Sequence, residues 1–528
     1  MSEMLKSSGA MGAATMLSRI LGMFRVMVYA RFMGDGPVAS AFTVAFMIPN
    51  LFRRLLGEGA LTAAFIPIFK EKERKEGDEE MWRAANAVIC GVALATLALS
   101  CLAVLGIGLG LAAIPFSWKT YLTLDLLRVM FPYVVLVCLA AVFMAMLNAR
   151  GHFFIPAMGA TLLNVVMIAT VLFWAPRFGA TLATQIFALA YGVLIAGVAQ
   201  AAFQVPTLFK EGFRFEWVPP WGNPTVREVV KRMAPGTLGV AAFQINVLVT
   251  QGVALQINDT INASFDYAVR LMELPQGVFG ISLATYLLPA LSGLAAKNDY
   301  KEFCKVYKQG FGYLLFVNLL ASVLLVILAE PIVRLLFQRG AFDSAATERA
   351  AFALACLAPG LAAFSAVNIS ARAFYALGDT MTPMRISAVC FALNLVVALW
   401  LVGPFQQGGL GVANTVSAFA NIALLMYALR RKLRGLQLKE LLPDSAAMAG
   451  ACVVAGGVAW VSLKLWQSNL GHASLVLRTG EVFFPILLAS AAYLGIARWQ
   501  RVQAADDVWQ LISKKLSATE PRDPGSIK

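Results

Sequence analysis

Residues 87–114 read AVICGVALATLALSCLAVLGIGLGLAAI, an unbroken apolar run with no charged side chain. About 20 helical residues cross a hydrocarbon core roughly 30 Å thick, so this one run decides the class of fold. A second block, LLFVNLLASVLLVILA, fills 314–329. The composition agrees: of 528 residues, 59% are hydrophobic and 14% charged, and the mean hydropathy is +0.72. A water-soluble chain of this length cannot hide so much apolar surface. The sequence specifies an all-α polytopic membrane protein.

Counting further runs by length gives about fourteen spans, near 10–32, 37–69, 84–113, 121–148, 153–175, 182–206, 226–256, 262–293, 307–329, 347–376, 382–402, 409–430, 443–465 and 475–499. The net charge of +14 would suggest nucleic acid as a partner of a soluble protein, but its distribution argues otherwise. Lys and Arg crowd into 70–83, 210–232, 297–308 and 430–439, whereas the intervening loops 114–120, 256–262 and 403–409 are almost free of them. That alternation is the positive-inside pattern, and it predicts basic loops and both termini in the cytoplasm. One loop dissents: RLLFQRGAFDSAATER, at 334–349, is basic on the predicted outer side. Seven scattered cysteines and two distant histidines, His152 and His472, imply neither a disulfide framework nor a metal cluster. No cleavable signal is expected, because the first apolar segment carries arginines. The polar end SATEPRDPGSIK is expected to be disordered.

An internal repeat organises the chain. FPYVVLVCLAAVFMAMLNARGHFFIP contains Pro132, Gly151 and Pro156, and LAPGLAAFSAVNISARAFYALGDTMTP contains Pro359, Gly378 and Pro383 at the same spacing. A weaker echo joins AAFIPIFKE (63–71) to ATYLLPALSG (284–293). Chance spacing of helix breakers is the competing explanation. The repeat predicts six-helix lobes over 1–215 and 225–435, two additional helices over 440–500, and a cytoplasmic tail over 501–528. Parallel halves of this kind enclose a central site opened alternately to each face.

Charge inside the membrane points to that site. A central Arg costs about 2.5–3.5 kcal/mol on insertion scales, yet SRILGMFRVMVYAR (18–31) places Arg19 and Arg25 well inside the first span. They point about 120° apart on a helix, so they can reach one wide, wet cavity from two flanks. Arg31, near the outer end, can snorkel to the interface. IPNLFRRLLGEGAL (48–61) adds Pro49, Arg53, Arg54, Gly57, Glu58 and Gly59 within one span. Such a segment suits a broken helix lining a water-filled cavity, with Glu58 four residues from Arg54 and within pairing distance. Farther on, FDYAVRLMELPQGVFG (265–280) sets Arg270 and Glu273 on one helix face; an isolated bridge supporting the fold is the alternative there. An arginine-lined cavity predicts an anionic ligand, and guanidinium forks suit phosphate oxygens. In such apolar surroundings the ligand is expected to carry a lipid portion. The two C-terminal helices either provide a groove for its tail or are plain packing helices.

These residues carry a resemblance. SRILGMFR, FTVAFMIPNLFRRLLGEGALTAAFIPIF, RLMELPQGVFGISLATYLLPALS and ARAFYALGDTMTP resemble the MurJ (MviN) lipid II flippases of the multidrug/oligosaccharidyl-lipid/polysaccharide exporter superfamily, over about residues 5–500. The resemblance implies fourteen helices in two lobes and a central cationic cavity. It also implies a tail groove at the last two helices and export of lipid-linked peptidoglycan precursor across the inner membrane. It maps the cavity arginines onto Arg19, Arg25, Arg53 and Arg270, with Glu273 beside the last. Beside them Ser18, Asn50, Arg54, Glu58 and Glu273 are expected as supporting or gating residues, and Pro49, Gly57 and Gly59 as helix breaks. Where relatives carry acids this chain has Val26, Ser40 and Val269, which leaves the cavity more positive. The acid through which some relatives bind Na⁺ on the seventh span is missing, so no sodium site is carried over.

The expected function is therefore a lipid II flippase working by alternating access as a monomer, with lipid II and membrane lipids as its partners. No cofactor is expected; coupling to the membrane potential or a monovalent ion is open. A cation-coupled drug or polysaccharide-lipid exporter of the same superfamily is the alternative, but it calls for an acidic or aromatic cavity. An enzyme acting on polyprenyl phosphates would need paired carboxylates or His near the interface. The one acidic cluster, KEGDEE (75–80), reads as a solvated loop.

Overall fold

The computed structural model describes the backbone of residues 2–53, 60–433, 435–437 and 440–518. Arg54, Gly57, Glu58 and Gly59 thus lie outside the described residues, as does 519–528, most of the polar end. Among the described residues there is no strand. The helices are α1 (Ser2–Met33), α2 (Pro37–Phe52), α3 (Ala60–Ala113), α4 (Trp118–Met130), α5 (Tyr133–Ala149), α6 (Phe154–Ala169), α7 (Ala175–Phe178), α8 (Leu182–Ala202), α9 (Val205–Lys210) and α10 (Pro224–Ile257). They continue as α11 (Ile261–Pro275), α12 (Ser282–Ala296), α13 (Tyr300–Ile327), α14 (Ala329–Phe337), α15 (Ser344–Leu357), α16 (Leu361–Ala376), α17 (Met381–Lys432), α18 (Leu441–Asn469), α19 (Leu475–Trp499) and α20 (Gln503–Ala518). Wider π-type turns follow α6, over Thr170–Trp174, and α11, over Gln276–Ile281.

Among the described residues eight helices are long and apolar enough to cross a membrane, or nine if the pair Trp118–Met130 and Tyr133–Ala149, bent by 43°, counts as one span. This count does not confirm the expected fourteen. Two of the eight, Ala64–Ala113 and Met381–Lys432, each run through a non-helical residue, Gly77 and Gln406. Within the expected spans near 37–69, 226–256 and 262–293, which include residues or side chains outside those described, the described apolar helices are Pro37–Phe52, Asn246–Ile257 and Tyr286–Ala296.

The repeated triplet folds into one kind of turn in both places. His152 N donates to Leu147 O and Gly151 N to Asn148 O; Asp379 N donates to Phe374 O and Gly378 N to Tyr375 O. Gly151 and Gly378 take φ of 89° and 73°, the left-handed conformation that ends a helix in this way. Packing divides the chain into two compact units, Met1–Ala263 with Phe337–Ala346, and Ser264–Leu336 with Thr347–Lys528. This division assigns α10 to the first unit, although the charged loop before it marks a break in composition.

In the first unit a core of Phe65, Phe69, Met81, Trp82, Met146 and Phe213 joins α3 to α5. Polar side chains bond across helices, as membrane packing favours. Tyr133 Oη donates to Gln200 Oε1 at 3.2 Å, and Gln200 Nε2 donates to Gly159 O at 2.9 Å. The segment 337–346 docks on the end of α1, where Ala341 N donates to Arg31 O at 2.9 Å. Gly340 and Gly34 both have positive φ there, and a Cβ on either would come within 2.6 Å of the opposing carbonyl. At the ends of α5 and α9, Arg150 lies 2.6 Å from Glu73 and 3.0 Å from Glu211, while His152 Nε2 lies 2.8 Å from Glu211. Hydrogen bonds from His152 and then Arg150 hold the Glu211 carboxyl below its ordinary range.

In the second unit Phe303, Tyr307, Ile369 and Phe374 form one core. Buried Asn318 accepts from Ser365 Oγ at 3.3 Å, and Tyr307 shares a hydrogen bond with Ser370. The C-terminal pair α18 and α19 packs on α13 through Ala451, Ala455, Ala459 and Ala489, around Phe316 and Tyr493. These small residues let the helices approach closely. Val502 and the start of α20, at Ala504 and Ala505, pack on this cluster, and the Arg498 guanidinium lies 4.6 Å from the Trp509 ring centroid.

One of the three arginines in the dissenting segment 334–349 is paired inside the protein. Arg334 on α14 is buried, and its Nη1 lies 2.9 Å from Glu481 of α19, whose side chain is 0% exposed. Glu330 pairs with the same guanidinium, and Gln467 Nε2 donates to Glu481 Oε1 at 2.7 Å. Arg334 is thus neutralised by partners within its own unit.

Candidate functional site

The first-unit arginines stand on two helices whose placement is fixed by neighbours. Asn164 of α6 donates from Nδ2 to Ser18 O at 3.0 Å, and so pins α1 at the turn that carries Arg19. Arg19 is half-buried. Six residues on, the Arg25 guanidinium lies 5.6 Å from the Tyr29 ring centroid. From Tyr29 an aromatic row leads to Phe42 at 5.9 Å, Phe46 at 6.0 Å and Tyr133 at 6.4 Å. This row connects α1, α2 and α5 and gives Arg25 a polarizable face in place of lipid.

Helix α2 starts at Pro37, whose missing N–H costs nothing at the first helical position. Within it, buried Pro49 removes the hydrogen bond to the carbonyl of Ala45. Regular helix ends at Phe52, and Arg53 Nε turns back to Asn50 Oδ1 at 2.8 Å. The structure thus brings Asn50 and Arg53 together. The expected pairing of Arg54 with Glu58 and the breaks at Gly57 and Gly59 lie outside the described residues.

In the second unit Arg270 stands on α11 between two acids. Its Nη1 lies 3.1 Å from Glu273 Oε2 and its Nη2 lies 3.3 Å from Asp266 Oδ1. The Asp266 bond was not anticipated, although the i, i+4 spacing with the acid on the N-terminal side is legible in FDYAVR. The three side chains are 32%, 47% and 35% exposed for Arg270, Glu273 and Asp266. Pairs this open are worth roughly 0–1 kcal/mol each, weak enough for a stronger anion to replace them. Pro275 ends the helix, and the wide turn after it seats Gly280 on Ser365, where a Cβ would come within 2.8 Å of the hydroxyl.

Val26, Ser40 and Val269, where the resemblance implies acids, have different surroundings. Val26 is buried, at 6% exposed. Ser40 is fully buried, and its Oγ accepts from Ala263 N at 3.4 Å. At Val269 the missing acid is matched by Asp266 one turn earlier, so Arg270 carries no uncompensated charge. Sequence reasoning also missed Asn164, Tyr29 and the Arg334–Glu481 pair. Their signals were faint: a lone Asn, a Tyr four residues after an Arg, and an ion pair 147 residues apart.

Comparison with known proteins decides what this arrangement belongs to. Residues 29–480 match the family described as lipid II flippase MurJ. The chain belongs to that family. A probable lipid II flippase MurJ from Rhizobium tropici is 33% identical over 504 residues, covering 94% of each chain. One from Vibrio cholerae is 32% identical over 525 residues, covering 94% of this chain and 95% of its own. Among solved structures, a lipid II flippase MurJ in an inward closed conformation has a TM-score of 0.75 at 23% identity, covering 92% of this chain and 97% of its own. An inward-facing multidrug transporter of the MATE family has a TM-score of 0.66 at 14% identity, covering 79% and 95%. These two likenesses concern the fold. This MurJ-family chain is a multi-pass membrane protein.

Proposed function

We propose that the chain moves lipid II from the cytoplasmic to the outer leaflet of a bacterial inner membrane by alternating access, for cell-wall synthesis, and catalyses no bond-making step. Membership of the MurJ family, together with arginines set into apolar helices, carries this reading. Arg19, Arg25, Arg53 and Arg270 neutralise the diphosphate, and the polyprenyl tail stays in lipid or along α18 and α19. A guanidinium presents a planar fork to phosphate oxygens, stronger than its contact with a half-exposed carboxylate. Asp266 and Glu273 hold Arg270 while the site is empty, and the incoming diphosphate displaces them. Uptake therefore exchanges anions around a fixed cation, and never leaves a bare arginine in the membrane. Coupling to the membrane potential or a monovalent ion resets the empty carrier, a monomer with both termini in the cytoplasm.

The test is translocation of lipid II in proteoliposomes by the wild type, R25A and R270A. Both variants should insert and fold but lose transport at least tenfold. Full activity in both would remove the arginines from the substrate path.

A further inference from the structure

On the first unit a groove of about 580 Å³ runs between α3, α4, α5 and α8. Leu105, Gly108 and Leu109 line it from α3, Arg128 from α4, Pro132 from the bend before α5, and Tyr191 from α8. Its shape follows from the sequence. The run GIGLG at 106–110 offers no side chain at three positions, and an added Cβ at Gly106, Gly108 or Gly110 would meet nothing within 4 Å. The 43° bend between α4 and α5 opens the wall opposite. Leu105 and Leu109 are 64% and 70% exposed, so the groove faces outward along an apolar helix.

Among its lining residues Arg128 is the one charged group. Arg128 Nη2 lies 2.7 Å from Asp125 Oδ1, and the Arg128 side chain remains 43% exposed. One edge of the guanidinium is engaged, and its other N–H donors are open to a further acceptor. Arginine beside hydrocarbon is costly unless an anion meets it. A hydrocarbon slot closed by a single cation fits an amphiphile with one negative charge, and its volume falls within the roughly 300–1,000 Å³ typical of ligand sites.

We propose that this groove binds one anionic phospholipid of the surrounding bilayer, its acyl chain along Leu105, Gly108 and Leu109 and its phosphodiester on Arg128. A lipid diphosphate is the poorer match, because it would bring two or more charges to one guanidinium already shared with Asp125. The site is separate from the four arginines of the transport reading and stands without it.

The full chain reconstituted in phosphatidylcholine vesicles tests this, with spin-labelled phosphatidylglycerol or phosphatidylcholine as the probe. Motionally restricted phosphatidylglycerol should exceed phosphatidylcholine several-fold for the wild type and for R128K. The preference should vanish in R128Q, and G108L, which fills the floor, should release the bound label. Unlabelled polyprenyl diphosphate or millimolar inorganic phosphate should leave it in place. Retention of the preference by R128Q, an unchanged signal in G108L, or displacement by either competitor would overturn the proposal.

Discussion

Asp266 Oδ1 lies 3.3 Å from Arg270 Nη2, one helical turn upstream, and Glu273 Oε2 lies 3.1 Å from Nη1 of the same guanidinium. Two acids thus share a cation that the transport reading needs for substrate. Either acid alone can hold Arg270, so D266N and E273Q should each keep transport within about threefold. The double variant leaves the guanidinium without a local acid. It should bind polyprenyl diphosphate more tightly and turn over at least tenfold more slowly. Isothermal titration beside a translocation assay reads both. Unchanged affinity and rate in the double variant would make the acids incidental.

The Arg334–Glu481 pair predicts a stability asymmetry. Removing one member of a buried pair strands the other charge, at about 3–5 kcal/mol, whereas replacing both by apolar residues is often neutral or better. R334L, which strands Glu481, should lower the unfolding temperature in detergent strongly. E481L should lower it less, because Glu330 still pairs with Arg334, and R334M/E481L should recover most of the R334L loss. Equal destabilisation in the single and double variants would refute a pairing role.

Asp379 predicts an acid-side dependence. The hydrogen bond from Lys432 holds its carboxyl well below the usual range, at about 2. Its pairing stabilises the folded state fully above the unfolded value near 4, and that contribution fades as pH falls toward about 2. The stability gap between wild type and D379N should therefore be constant from pH 8 to about 5 and shrink below 4. A gap still undiminished at pH 3 would assign the effect to the cap on Thr382 instead.

Much of this was legible in the sequence because membranes impose simple rules. Apolar runs such as 87–114 must be helical, since no water satisfies a bare backbone there, and the Gly151 and Gly378 turns could be read from spacing alone. The candidate arginines were visible for the same reason: a charge in lipid demands an explanation. What escaped notice was pairing at a distance. Nothing near Arg334 announces Glu481, and nothing near Ser18 announces Asn164, because helix neighbours in space are set by packing rather than by order. Asp266 is different, since its spacing from Arg270 was in plain view. Val269, where the resemblance implies an acid, lies one turn after Asp266, which pairs with Arg270. The packing of the tail's first residues was not legible either: Val502, Ala504 and Ala505 are too small and few to signal burial without the cluster that receives them.

The central claim is transport of lipid II, and depletion of this chain in a peptidoglycan-making cell tests it most directly. Lipid II exposed on the outer leaflet is then measured against the total pool. The account predicts that the exposed fraction collapses while precursor accumulates on the cytoplasmic leaflet, and that wild type but not R270A restores export. Normal exposure after complete depletion, in a cell without a second flippase, would contradict it.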